Sequence, residues 1–180
     1  VTRVFPTGGR ITLTHNIIRV LTKEGAEKFA EVRVPEGAEV LTLRTVKADG
    51  TTREPEDLSG KDTVSAPDLE AGDYVEFEYA DPDGESAAFP GGFVGERFYF
   101  SSGDSPLHRS EYVLVTPWEL ALQLDRRGDA PAPEVTRRGD ERVTTWRRRE
   151  IARMRPEPPQ AESASAWESP DVSCVTLMYF

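Results

Sequence analysis

At 180 residues, 37% hydrophobic and 30% charged, the chain is long enough to bury a real core, as one domain of ordinary size or two small ones sharing an interface. Its formal net charge of -10 disfavours general nucleic-acid binding, because a polyanion meets repulsion before it meets any local basic patch. A single cysteine excludes an internal disulfide, and no run approaches the roughly 18 apolar residues of a membrane helix.

The first residues, VTRVFPTGGR, lack the basic and apolar regions of a signal peptide. Arg10 to Leu21 alternates with a period of two: Ile11, Leu13, His15 and Ile17 share one face, then Ile18 and Val20 take the other. That switch predicts a bulge or twist in a long strand. Lys23-Glu24-Gly25 reads as a hairpin, and Glu24 to Phe29 could instead form one helical turn, too short to stand alone. Strands are expected at Phe29 to Val34, Glu39 to Ala48 and Thr51 to Arg53, the last two joined by an Asp49-Gly50 turn. Lys61 to Ala66 is a weaker strand, and Leu69 to Asp73 turns into Tyr74 to Ala80. There Val75, Phe77 and Tyr79 face one side while Glu76 and Glu78 face the other, the pattern of a half-buried strand.

Asp81 to Gly92 reads as a loop, followed by the aromatic stretch Phe93 to Phe100. His108 to Thr116 and Trp118 to Leu124 are the next strands, with a hairpin tip at Asp125 to Asp129. Ala130 to Arg138 is interrupted by proline, and Glu141 to Ile151 is a long strand with a charged face. Residues 156–168 are Pro-rich and polar, an expected loop, and Val172 to Tyr179 closes the chain as a strand. Many short strands separated by turn signals, without a sustained helical period, predict an all-β, antiparallel β-sandwich with long loops and at most short helical turns. One domain is expected over 1–180. Its abrupt start and its apolar last residues, LMYF, read as a segment of a longer chain.

Few residues offer chemistry. Cys174 lies in an alternating strand, where a free cysteine packs as a small hydrophobe, and a nucleophilic thiol would need His15 or His108 beside it. The histidines are isolated, and one cysteine cannot build a structural zinc site. Asp81 and Asp83, ahead of Gly84, form a weak calcium candidate that lacks the full spacing of an EF-hand loop. Arg126 to Arg155 holds ten arginines against five acids. Alternation places Arg147 and Arg149 on one face and Arg148 on the other, so the cluster is split. A solvated face or a surface meeting an acidic neighbour is the expected role.

Several stretches in order resemble a bacterial family, the N-terminal domain of transglutaminase-like proteins known as domain of unknown function 3857. They are "HNIIRVLTKEGAEKFAEVRVP", "TLRTVKADGTTRE", "APDLEAGDYVEFEYA", "FYFSSGDSPLHRSEYVLVTP", "TTWRRREIARMRPEPPQ" and "PDVSCVTL". The resemblance spans nearly the whole chain and implies a β-sandwich module ahead of a papain-like transglutaminase or protease domain. It implies an envelope, periplasmic or extracellular setting, and transfers no catalytic residue. The Arg-rich run at 147 to 149 and the acidic, Pro-rich stretch near the end depart from the family's pattern.

The expectation is therefore a non-catalytic accessory domain that positions a protein or glycan substrate or its downstream catalytic domain. No cofactor, nucleic acid or membrane insertion is expected for the segment. Phe89, Phe93, Phe98, Tyr99, Arg147 and Arg149 are the candidate contact residues. The alternatives are a thiol hydrolase using Cys174 with a histidine, and a carbohydrate-binding β-sandwich.

Overall fold

Strands dominate the computed structural model, which describes residues 1–56, 63–84, 93–95, 97–121, 123–154 and 174–179. The described elements are fourteen strands and one short helix, the all-β class that the two-residue period predicts. Two compact units divide the chain: Ile11–Asp83, and Val1–Arg10 together with Gly84–Phe180.

In the Ile11–Asp83 unit, the strands β2 (Arg10–Arg19), β4 (Glu39–Val46), β5 (Thr52–Arg53) and β7 (Tyr74–Asp83) form a sheet in the order β2-β7-β4-β5. β3 (Glu31–Arg33) and β6 (Thr63–Ser65) form a separate antiparallel pair. Alternation in YVEFEYA sends Val75 and Phe77 inward. They pack with Leu43, Val32, Val64 and Ala66, while Ile18, Phe29 and Leu69 close the edges of this core. The Asp49-Gly50 turn joins β4 to β5 as expected, with Gly50 at φ 85°, a conformation that side chains with a Cβ resist.

Two local expectations in this unit change. Lys23 to Phe29 is a helix, α1, rather than a hairpin. Thr22 caps it by accepting the Gly25 amide at 3.1 Å, Glu24 and Lys28 lie at the ends that suit the helix dipole, and Ala26 is buried. A short helix thus gains from tertiary packing what its own length denies it. The long strand expected from Arg10 is found as β2, with Ile11 and Ile17 on its exposed side and Ile18 and Val20 turned inward. β7 continues through Asp83, so Asp81-Pro82-Asp83 is strand rather than loop.

The Leu69 to Asp73 turn is fastened at both ends. Its Gly72 amide donates to the Val20 carbonyl at 2.8 Å, and the Val20 amide donates to the Asp73 carbonyl at 2.9 Å. The buried Asp73 carboxylate accepts from Lys47 Nζ at 2.7 Å and from the Glu70 and Ala48 amides at 2.9 and 3.1 Å. Burial pushes this carboxyl up, but the Lys47 and amide hydrogen bonds outweigh it and leave it below the ordinary range.

The other unit holds a sheet in the order β12-β13-β10-β1, from β12 (Glu134–Arg138), β13 (Glu141–Ile151), β10 (Leu107–Pro117) and β1 (Thr2–Val4). Its pairings are antiparallel except for β1 with β10, which is parallel. A second sheet runs β11-β14-β8, from β11 (Gln123–Arg127), β14 (Cys174–Tyr179) and β8 (Phe93–Val94), and β9 (Phe98–Tyr99) also pairs with β14. Trp118 and Glu119 occupy a turn, so the strand expected from Trp118 starts later, at Gln123, and runs into the expected hairpin tip. Arg142 holds that turn by donating to the Trp118 and Leu120 carbonyls at 3.0 and 3.2 Å.

The core of this unit is aromatic. Tyr112 stacks on Phe98 and Trp146 with ring centroids 4.8 and 5.6 Å away, and Val4, Phe100, Leu114 and Leu120 fill the rest. β13 keeps the bounds its sequence predicts, Glu141 to Ile151. The Pro-rich 156–168 stretch lies outside the described residues.

Candidate functional site

The β10 and β13 strands pair residue for residue from Arg109 opposite Arg149 to Pro117 opposite Glu141. Side chains on opposed residues point to the same side of a sheet. Arg109, Glu111, Val113 and Val115 therefore share a face with Arg149, Arg147, Thr145 and Val143, and Trp146, Tyr112 and Leu114 take the core side. Glu134 opposite Thr145 and Arg138 opposite Glu141 extend this face onto β12, and Arg3 opposite Val115 extends it onto β1. Val115 is buried, whereas Arg147 and Arg149 are exposed, so the face opens towards the arginines.

Glu111 is the hub of the charged end. Arg109 Nη2 lies 2.6 Å from its Oε2, and Arg147 Nε donates to the same oxygen. Arg147 also reaches Glu134 at 3.5 Å. Burial pushes the Glu111 carboxyl up, yet the two guanidinium bonds outweigh it and hold it below the ordinary range. Towards β1, Glu141 joins Arg3 at 3.1 Å and Arg138 at 2.8 Å. Among the described residues, Arg149 has no carboxylate partner, and the side chain opposite it is Arg109. Like charges directly opposed across a sheet are destabilising.

Next to Arg149, Glu150 stands at φ 49°, unusual for a residue with a Cβ, and its carboxylate meets His108 Nδ1 at 2.6 Å. Arg148 lies on the core side and is taken by Asp129, with one contact at 2.8 Å. The split of the arginine run read from alternation is thus the arrangement found. Arg109 and Glu111 were missed as members of the face, although the alternation of HRSEYVLVT carries them. Which strand lies beside β13 is a tertiary fact.

The remaining sequence candidates fall elsewhere. Phe98 packs on Tyr112 and Phe100 in the core, and Tyr99 is 47% exposed. Phe93 enters β8 opposite Tyr179, and Phe89 lies outside the described residues. Cys174 sits in β14 between Arg127 of β11 and Tyr99 of β9. His15 Nε2 meets Glu76 Oε1 at 3.0 Å, and Arg44 Nε donates to the other Glu76 oxygen at 2.7 Å. The Arg44 bond, opposed by burial and aided by His15, lowers the Glu76 carboxyl below its ordinary range. Asp81 and Asp83 lie at the end of β7, and among the described residues no three His, Cys, Asp or Glu side chains are grouped to hold a metal. No described helix is long and apolar enough to cross a membrane.

Comparison with known proteins bears on the whole chain. The family model DUF3857, "Domain of Unknown Function with solved-structure structure", matches residues 61–155, more than half of the sequence. The chain belongs to the DUF3857 family. The match takes in the fastened Asp73 turn and both arginine strands, so the charged face lies in the DUF3857 portion. A solved structure from Parabacteroides distasonis ATCC 8503, described as a candidate protease, is similar with a TM-score of 0.79 and 12% identity. It aligns with 99% of the DUF3857 chain, which covers 38% of that longer protein. At that identity the likeness is one of fold. No curated protein matches the sequence.

Proposed function

We propose that this DUF3857 domain is a non-catalytic accessory module of a longer transglutaminase-like or protease-like bacterial protein, placed in the envelope or outside the cell. It positions a protein or glycan substrate, or the catalytic domain that follows it. The observation that carries this reading is the coverage: nearly the whole chain corresponds to 38% of a longer protein described as a candidate protease. A self-contained fold with its own cores, set within a longer polypeptide, is the form an appended module takes.

The chemistry of the chain supports the same reading. The backbone of Cys174 is paired on both sides, and each histidine rests on a carboxylate, Glu76 or Glu150. The exposed arginine face supplies a contact surface without a nucleophile.

The test is capture in trans. The tagged 180-residue chain is mixed with the polypeptide encoded after Phe180, and their association is measured by calorimetry. Saturable binding is expected, as is loss of activity when the domain is deleted from the full-length protein. Absence of any polypeptide after Phe180, or hydrolysis by the isolated chain that disappears in Cys174→Ala, would falsify the proposal.

A further inference from the structure

We infer that the outer face of β10 and β13 docks an extended acidic polypeptide segment, with Arg109, Arg147 and Arg149 as its anchors. This names a partner class for the accessory role proposed above and rests on that reading.

The face has more guanidinium than carboxylate at its open end. Glu111 serves both Arg109 and Arg147 through one oxygen, and no described carboxylate serves Arg149. Arg149 stands directly opposite Arg109, an arrangement that costs stability in the free domain and is relieved when an anion bridges the pair. The neighbouring Glu150, although acidic and adjacent, engages His108 from a disfavoured left-handed backbone. The local acids therefore leave the Arg149 fork open.

Spacing selects the form of the partner. Arg147 and Arg149 are two residues apart on one strand, so their side chains emerge about 7 Å from each other. An extended peptide with an acidic residue at every second position repeats its carboxylates at the same interval. Guanidinium groups pair with carboxylates two bonds at a time, which favours Arg over Lys for such a surface. A phosphate backbone fits less well, because Glu111, Glu134 and Glu141 interrupt the arginines and the chain carries a net charge of -10.

The experiment uses a fluorescein-labelled peptide of alternating Glu and Thr, its block isomer with all Glu before all Thr, and oligo-dT. Each is titrated with the 180-residue chain by anisotropy at low and at physiological salt. The alternating peptide is expected to bind about tenfold more tightly than either competitor and to weaken with salt. Arg149→Glu and Arg109→Gln should each weaken it about tenfold, with no fall in melting temperature for Arg149→Glu, which removes the opposed like charges, while Arg33→Gln on β3 has no effect on binding. No binding by the parent chain, equal binding of the block peptide or oligo-dT, or an unaltered affinity in Arg149→Glu overturns the inference. Repeating the capture in trans with Arg149→Glu separates the two proposals. Undiminished capture removes the arginine face and leaves the accessory role, whereas peptide binding without any capture removes the accessory role alone.

Discussion

Lys47 Nζ lies 2.7 Å from the carboxylate of Asp73, joining the end of β4 to the turn that opens β7. Asp73 is 3% exposed and also accepts two backbone amides, so one side chain satisfies donors from the turn after β4, from its own turn and from a lysine. Its backbone bonds Val20 at the end of β2. The Leu-x-x-Gly-Asp sequence is therefore a fastening between strands distant in sequence.

Replacing Asp73 with Ala leaves the Glu70 and Ala48 amides without this acceptor and strips Lys47 of a partner. The loss is expected to be about 3 kcal/mol, read as a lower urea midpoint with an unchanged slope. Lys47→Met should cost less, because the two amides still hold the carboxylate. Equal losses for the two variants would show that the ion pair, rather than the amide bonds, is the fastening.

Acid should unfold the domain through a small set of carboxylates. Asp73, Glu76 and Glu111 all have folded pKa values below the ordinary range. A depressed folded pKa stabilises the fold above the unfolded carboxylate value of about 4. Below it, the unfolded chain takes up protons first, and the stabilisation is lost as pH falls through the folded values. Stability measured by urea titration is expected to be level from about pH 7 to 5 and to fall steeply below about pH 4. Asp73→Asn should flatten that fall, and an unchanged acid limb would remove Asp73 from the set.

Thr22 accepts the Gly25 amide at the start of α1. Thr22→Ala should destabilise by about 1 kcal/mol and Thr22→Ser by much less. Helical ellipticity is a poor monitor for seven residues in a β-rich chain; amide exchange at Gly25 and Ala26 reports the cap directly. Unchanged protection in Thr22→Ala would mean that packing of Ala26 alone holds the helix.

Thr116 is 1% exposed in β10, and its Oγ1 has no hydrogen-bond partner among the described residues. Thr116→Val keeps the shape and the β-branch while removing a buried polar atom. A gain of about 1 kcal/mol is expected, visible as a higher melting temperature. A loss would reveal a hydroxyl partner.

β13 was legible to the residue, because WRRRE alternates between a buried tryptophan side and a charged side and Gly139-Asp140 marks its start. The Asp49-Gly50 hairpin and the inward set of β7 were legible for the same reason: turn chemistry and a period of two are local properties. α1 was not, since seven residues carry too little propensity to declare a helix without a core to receive Ala26. β2 shows the limit of periodicity. Apolar residues lie on both its sides, and only the packing of Ile18 and Val20 decides which side is core.

The charged face has the same division. By itself the sequence determined the strand class of the chain, the split of Arg147 and Arg149 from Arg148, and a Cys174 embedded in a strand, all consequences of alternation along one segment. Only the tertiary structure decided that Arg149 stands opposite Arg109, that Glu111 is shared between two arginines, and that Asp73 closes on Lys47. These pairings depend on strand order and register, which are set by burying two cores at once, and no local pattern encodes which distant strand becomes the neighbour.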